Sequence, residues 1–241
     1  MGGRLTKLWQ TATNILGATT VPVSGTWDTR IVTDVFSRMP SPVRTVIDVG
    51  AHTGEFALAV SNALPDAHVL CFEPLAACQA LLRKNAAKLA HCEVYDCALG
   101  DANETTIMHC NAFTPCSSLL PMLPLHTRAF PQSFSVRTER VKVCRLDDVL
   151  RGRALEPNVF LKIDVQGYED RVFSGAAETL KSVQGILVET TLTALYEKQL
   201  LLPQITKLLE QHGFRYAGDY GDIRHMLTGE VLQRDTLFLR A

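Results

Sequence analysis

Three short segments carry carboxylates and glycines at spacings suited to ligand chemistry. In VIDVGAHTGEF (Val46–Phe56) an apolar run ends on Asp48, and Gly50 and Gly54 follow around Ala51, His52 and Thr53. Gly50 permits a tight turn and lets a ligand approach the backbone closely; Gly54 lets the following helix pack against the strand. The helix N-terminus then offers free N–H groups to a carboxylate or phosphate. A further carboxylate, Glu73 in Phe72-Glu73-Pro74, closes the next apolar run about 20 residues on, where an acidic side chain accepts hydrogen bonds from ribose hydroxyls. In FLKIDVQGYE (Phe160–Glu169), Phe160, Lys162 and Asp164 share one face of a strand. Asp164 then stands at the carboxyl end, placed to orient a cationic ligand and an acceptor, with base catalysis as its second role. Lys162 is a charge inside an apolar strand and needs a partner; Glu189 on the next strand is the candidate.

Two nucleotide-type cofactors use such a turn. The dinucleotide fingerprint G-x-G-x-x-G, registered on Gly50, places its second and third glycines on His52 and Glu55, so it fails twice. Glu55 would also set a negative charge where a pyrophosphate should lie. An acidic residue followed by G-x-x-x-G instead resembles the first motif of S-adenosylmethionine-dependent methyltransferases, whose cofactor carries an ammonium, a sulfonium and one carboxylate. On that reading Asp48 faces the ammonium, directly or through water, and Ala51, His52 and Phe56 border the pocket, His52 through its backbone. Glu73 and Pro74 border the ribose. Asp96, Cys97 and Ala98 follow the third strand as an adenine-edge contact, with Asp96 accepting from the N6 amino group. Ser117 and Ser118 open a proline-rich loop and can reach cofactor or acceptor. His109, His126 and His225 are alternative bases. No His/Asp/Glu grouping has metal-ligand spacing, so no metal is expected.

Taken together the segments resemble the FkbM family of methyltransferases. VIDVGAHTGEF, CFEP (Cys71–Pro74), CALGD (Cys97–Asp101), SSL (Ser117–Leu119), RLDDVL (Arg145–Leu150), FLKIDVQGYEDRVFSGA (Phe160–Ala176) and VET (Val188–Thr190) stand in order at family-like spacing. The resemblance covers roughly residues 43–213. It implies a Rossmann-like sheet with an antiparallel last strand, S-adenosylmethionine as cofactor, and O-methylation of a hydroxyl on a carbohydrate, glycolipid or polyketide-type product. The family pattern often has Glu where this chain has Gln166, and a glutamine cannot act as a base. A nicotinamide-dependent oxidoreductase and a non-catalytic cofactor-binding member are the competing readings.

The elements that must position these residues alternate. Thr45–Val49, Val69–Phe72, Cys92–Tyr95, Asn158–Val165 and Gly185–Glu189 read as buried strands. Helices are expected at Trp27–Met39, Glu55–Ala63, Leu75–Leu89, Tyr168–Leu180 and Pro203–His212. Phe214–Ala217 and Thr236–Leu239 complete the sheet. Thr105–Cys110 and Ser135–Cys144 alternate apolar and polar residues, as half-buried strands do. Between them Pro115, Pro121, Pro124 and Pro131 mark a long loop. The pattern predicts an α/β fold: a mostly parallel seven-stranded sheet, helices on both faces, and a β-hairpin/loop insertion. Residues 1–42 form an N-terminal helical segment and 43–241 a single Rossmann-like domain.

Composition narrows the partners. Lys and Arg total 24 against 25 Asp and Glu, and no cationic run occurs, so nucleic acid is not expected. The acceptor is a small molecule or glycan. Seven scattered cysteines with no C-x-x-C pair read as buried thiols of a reducing cytoplasm. No segment reaches membrane-span length. Met1-Gly2-Gly3-Arg4-Leu5-Thr6 matches a myristoylation pattern short enough to arise by chance. Leu5, Leu8, Trp9, Ala12, Ile15 and Leu16 recur at helical spacing, which suits packing on the body, a dimer contact or a membrane surface.

Overall fold

The computed structural model describes residues 27–133 and 136–241; the amphipathic stretch at 5–16 lies outside them. Seven strands make the main sheet: β1 (Thr45–Val49), β2 (His68–Phe72), β3 (Cys92–Tyr95), β7 (Val159–Ile163), β8 (Val183–Thr191), β9 (Phe214–Arg224) and β10 (Val231–Arg240). Their order is β3-β2-β1-β7-β8-β10-β9. All neighbours pair parallel up to β8, and β10 runs antiparallel to both β8 and β9. This is the mostly parallel α/β sheet that the sequence pattern predicts. A smaller sheet, β4 (Ala98–Leu99), β6 (Val136–Cys144) and β5 (Glu104–Asn111), forms the insertion.

Helices cover both faces, which is why β1 and β7 are buried along their whole length and read as continuous apolar runs. On one face Ile47, Leu161, Ile186 and Phe238 pack with Val172 and Phe173 of α6 (Glu169–Gly175) and Leu209 of α7 (Leu202–Gln211). On the other, Val46, Phe160, Leu187 and Leu237 meet α1 (Thr29–Ser37) and α2 (Glu55–Ala63). Asp28 caps α1 by accepting from Arg30 N at 2.8 Å, a stop that fixes the helix start. Trp27 and Phe36 then make edge contacts with Phe56 and Phe160, at 4.9 and 5.0 Å between ring centres.

Several boundaries differ from expectation. The helix expected from 168 to 180 is α6, which stops at Gly175; a separate 3-10 turn spans Thr179–Lys181. Asp147 of α5 (Leu146–Val149) forces the restart by accepting from Glu178 N, Thr179 N and Thr179 Oγ1. Strands β9 and β10 extend far beyond the expected apolar cores because their polar ends are cross-linked, Arg234 pairing with Asp219 at 2.7 Å and Asp222 at 3.3 Å. The proline-rich loop is ordered into a 3-10 turn (Thr114–Cys116), α4 (Pro124–Ala129) and a second 3-10 turn (Pro131–Ser133), each with proline in its first turn or first position. Between β2 and α3 (Ala76–Ala86) lies Glu73, and β1 has β2 on one side and β7 on the other. Strand order reverses at that point, and ligands of open α/β sheets bind beyond it.

Candidate active site

The turn after β1 is built around contacts no side chain could share. Gly50 has φ +77°, and a Cβ there would stand 1.9 Å from the Asp164 carbonyl oxygen. Gly50 N and Ala51 N both donate to Phe72 O at 3.0 Å, which locks the turn against β2. His52 N, at φ 50°, donates to Glu73 Oε2 at 2.9 Å, while Leu75 N donates to Oε1 at 2.8 Å. Glu73 is therefore fixed, and burial pushes its carboxyl up to about 7 despite these two donors. The His52 ring lies 2.8 Å from Thr114 Oγ1. Burial works against its charge, but Cys78 and Glu55 outweigh that and raise the imidazole to about 10. Gly54 serves a different contact from the one expected: its φ is +87°, and it admits Leu82 of α3 rather than its own strand.

A row of ionisable groups crosses the sheet at the carboxyl ends of the parallel strands. Asp48 and Lys162 are directly opposite on β1 and β7, with Lys162 Nζ 3.4 Å from Asp48 Oδ1 and 3.6 Å from Asp164 Oδ2. Burial disfavours the ammonium, but Asp48 and Asp164 hold it charged. Lys162 thus pairs with Asp48 and not with Glu189 as expected. Asp48 is fully buried and neither oxygen has a hydrogen bond, so it lies beneath the cleft and offers nothing to a ligand. Asp164 follows the last residue of β7 and keeps 29% side-chain exposure.

Gln166, at φ 58°, ties this row together. Its amide donates to Asp164 Oδ1 at 2.9 Å and to Glu189 Oε2 at 2.6 Å, and its carbonyl lies 3.0 Å from the Tyr196 hydroxyl. Gln233 donates to the same Glu189 oxygen at 2.7 Å. Glu189 is raised well above the usual carboxylate range, by burial first and then by Asp164 and Asp235. Two amide donors therefore clamp the Glu189 carboxyl at the cleft floor through one oxygen.

Strand order divides the lining of the cleft above this row into two halves, one at the β2–β1 end of the sheet and one at the β10–β9 end. Gly50, Ala51, His52, Glu73, Pro74 and Ala98 line one, with Leu75, Leu99, Met108 and Leu119 as its apolar wall. Trp27, Ile31, Tyr220, Ile223 and Asp235 line the other, with Phe56, Lys162, Asp164 and Glu189 between them. Several expected contacts fall outside. Asp96 is turned away and paired with Arg83 at 2.5 Å. Cys97 is buried in the core. Ser118 is buried, donating to Gln166 O at 2.7 Å, so it braces the Gln166 turn. Ser117, by contrast, lines the cleft, though its hydroxyl is taken by Asn111 N at 2.9 Å. His126 is buried against Ser133 and Tyr196, and burial lowers it to about 4. His109 lies in the small sheet, where its backbone pairs with that of Ser118, and His225 caps a turn by accepting from Leu227 N.

Asp235, Gln233, Tyr196 and Trp27 were not among the expected site residues. Asp235 alone left a sequence signal, a charge within the otherwise apolar strand pattern of Thr236–Leu239 at its border.

With this geometry in place, comparison with known proteins decides the family. The methyltransferase FkbM domain matches residues 48–216, from the buried aspartate of β1 into β9. The chain belongs to the FkbM methyltransferase family. As a family member it is an S-adenosylmethionine-dependent methyltransferase, which removes the oxidoreductase reading. This FkbM protein is 28% identical over 207 residues to methyltransferase sdnD of Sordaria araneosa, covering 72% of this chain and 74% of that one. It is 27% identical over 208 residues to the 2-O-methyltransferase NoeI of Sinorhizobium fredii, covering 84% of each. The fold matches the crystal structure of methyltransferase FkbM from Methylobacillus flagellatus KT with a TM-score of 0.53 at 14% identity. That match covers 82% of this chain but 43% of the other, so this chain spans less than half of that protein.

The residues present suit the cofactor. Four carboxyls, Asp48, Asp164, Glu189 and Asp235, share one ammonium, Lys162, and Lys162 is committed to Asp48 and Asp164. Asp164 keeps its exposure to the cleft, where a carboxyl favours a cationic group and disfavours a pyrophosphate. Glu73 and the apolar wall occupy the opposite half, where a nucleoside needs a polar edge and a flat contact surface. No helix among the described residues is long and apolar enough to cross a membrane.

Proposed function

We propose that this protein methylates a hydroxyl oxygen of a small sugar-bearing acceptor, and that the cleft divides into a cofactor half and an acceptor half. The observation that carries this reading is the cleft's asymmetry: a fixed glutamate and apolar wall on one side, and Trp27 and Tyr220 with the Asp235 carboxyl on the other. Glu73 is the ribose ligand, already oriented by two backbone donors, and Gly50 and Ala51 give backbone access beside it. Pro74 and Ala98 border the nucleoside with Leu75, Leu99 and Met108. Asp164, held by Gln166 and Lys162, holds the amino end. When bound, the cofactor supplies an electrophilic methyl carbon together with its leaving group.

The protein's task is then to align an acceptor oxygen and receive its proton. Trp27 and Tyr220 suit the apolar face of a sugar ring, and the carboxyls below them suit its hydroxyls. The relative NoeI is named a 2-O-methyltransferase, which supports oxygen as the acceptor atom. The balanced charge of the chain supports a small acceptor over nucleic acid. Incubation with carbon-13-methyl S-adenosylmethionine and a panel of methyl pyranosides, followed by NMR, tests the reading. A labelled methyl ether on a ring hydroxyl is expected. Labelled methyl on nitrogen or carbon of another acceptor class would overturn it.

A further inference from the structure

Every carboxyl of the floor except one is occupied by a protein contact. Asp48 is consumed by Lys162, Asp164 by Lys162 and Gln166, and Glu189 by Gln166 and Gln233. Asp235 remains. It stands on β10 directly opposite Glu189 of β8 and Tyr220 of β9, on the same sheet face as Leu237. It is half-buried and lines the acceptor half beside Tyr220, Ile223 and Trp27. Asp164 and Lys162 act on it only through space.

We propose that Asp235 is the general base of the transfer, taking the proton of the acceptor hydroxyl; this rests on the O-methylation reading above. The acceptor O–H bond breaks as the O–CH3 bond forms, the methyl–sulfur pair leaves with sulfur, and the proton on Asp235 passes to water at the cleft mouth. Competing groups are less suited. Glu189 is clamped through one oxygen by the amides of Gln166 and Gln233. Lys162 is deeply buried and held charged, so it has no free pair. Asp164 is engaged on one oxygen by Lys162 at 3.6 Å and on the other by Gln166 at 2.9 Å, so neither is left free for an acceptor proton.

Burial and the neighbouring Asp164 raise Asp235 to about 7 while Lys162 opposes them. A base so placed ionises near neutrality yet still binds a proton well. The charged or titratable groups facing it are Lys162 and Asp164 from the β7 end, Glu189 from β8 and Tyr220 from β9.

Two readouts on the full chain separate this proposal from the acceptor reading. Carboxyl carbon-13 NMR of protein saturated with S-adenosylhomocysteine follows the resonance absent from Asp235→Asn. Titration near neutrality is expected, and titration in the ordinary aspartate range would overturn the assignment without any acceptor. On methyl pyranosides, Asp235→Asn is expected to lower kcat about a hundredfold or more. S-adenosylhomocysteine affinity should not change. Asp235→Glu should recover part of the rate with a displaced pH profile. A wild-type rate in Asp235→Asn would overturn the proposal. A near-neutral resonance with no wild-type transfer to any pyranoside supports the base and removes the acceptor class.

Discussion

Lys162 and Asp48 face each other across the parallel β1–β7 pair at 3.4 Å, both buried, and that ammonium is the compensating charge for a carboxylate with no hydrogen bond. The pair supports the cleft from below; Asp164, at 3.6 Å from the same nitrogen, is its connection to the cleft.

Removing one half of this pair should therefore cost more than removing both. Lys162→Met leaves Asp48 uncompensated and is expected to lose about 3–5 kcal/mol of stability. Adding Asp48→Asn should return much of that loss. Urea unfolding of the two variants reads the difference; a double variant no more stable than the single one would show that the pair does not act as a unit.

Gly50 has no tolerance for a side chain. Gly50→Ala would drive a Cβ into the Asp164 carbonyl at 1.9 Å on a backbone of φ +77°. Strain of about 1–3 kcal/mol is expected. Displacement of Asp164 should also abolish the thermal shift produced by S-adenosylhomocysteine. An undiminished shift would mean that the turn is free to move without affecting the site.

Glu73 both contacts the cofactor half and receives two backbone donors. Glu73→Ala is expected to weaken S-adenosylhomocysteine about tenfold or more, the scale of a charged bidentate contact. Glu73→Gln retains one carbonyl acceptor and should lose less. Calorimetric titration of the two variants checks the order.

The pH dependence of the cofactor-free protein has a definite sign. Burial raises Glu73 and Glu169 to about 7, and Asp235 reaches about 7 as well. Each folded-state value lies above that of the unfolded chain, so the fold binds more protons between the two. The associated stability is present below about pH 4 and is lost as pH rises through about 7. His126, lowered to about 4 by burial, works the other way below about pH 6.5, so the melting temperature should fall from about pH 6.5 to pH 7.5, as read by scanning calorimetry. A steady rise over that range would contradict these assignments.

The parallel sheet was legible because fully buried strands leave unbroken apolar runs, as in Thr45–Val49 and Val159–Ile163. The glycine turn was legible because positive φ and close approach restrict residue type at Gly50. What was hidden depends on contacts between distant segments. Nothing near Asp96 announces Arg83 as its partner, so it read as a ligand. The choice of Asp48 over Glu189 by Lys162 follows from β1–β7 register. Asp235 belongs to a strand whose apolar core is short, and its place opposite Glu189 comes only with antiparallel pairing. Gln166 read as a lost base, whereas its two amide donors join Asp164 to Glu189, a connection a glutamate could not make while ionised.

The account stands on the division of one cleft between cofactor and acceptor, and a crystal structure with S-adenosylhomocysteine tests that division most directly. The account expects ribose hydroxyls on Glu73, the amino end at Asp164, and open space over Asp235 beside Trp27 and Tyr220. A nucleoside seated on Asp235, or the ligand bound away from Glu73, would contradict it.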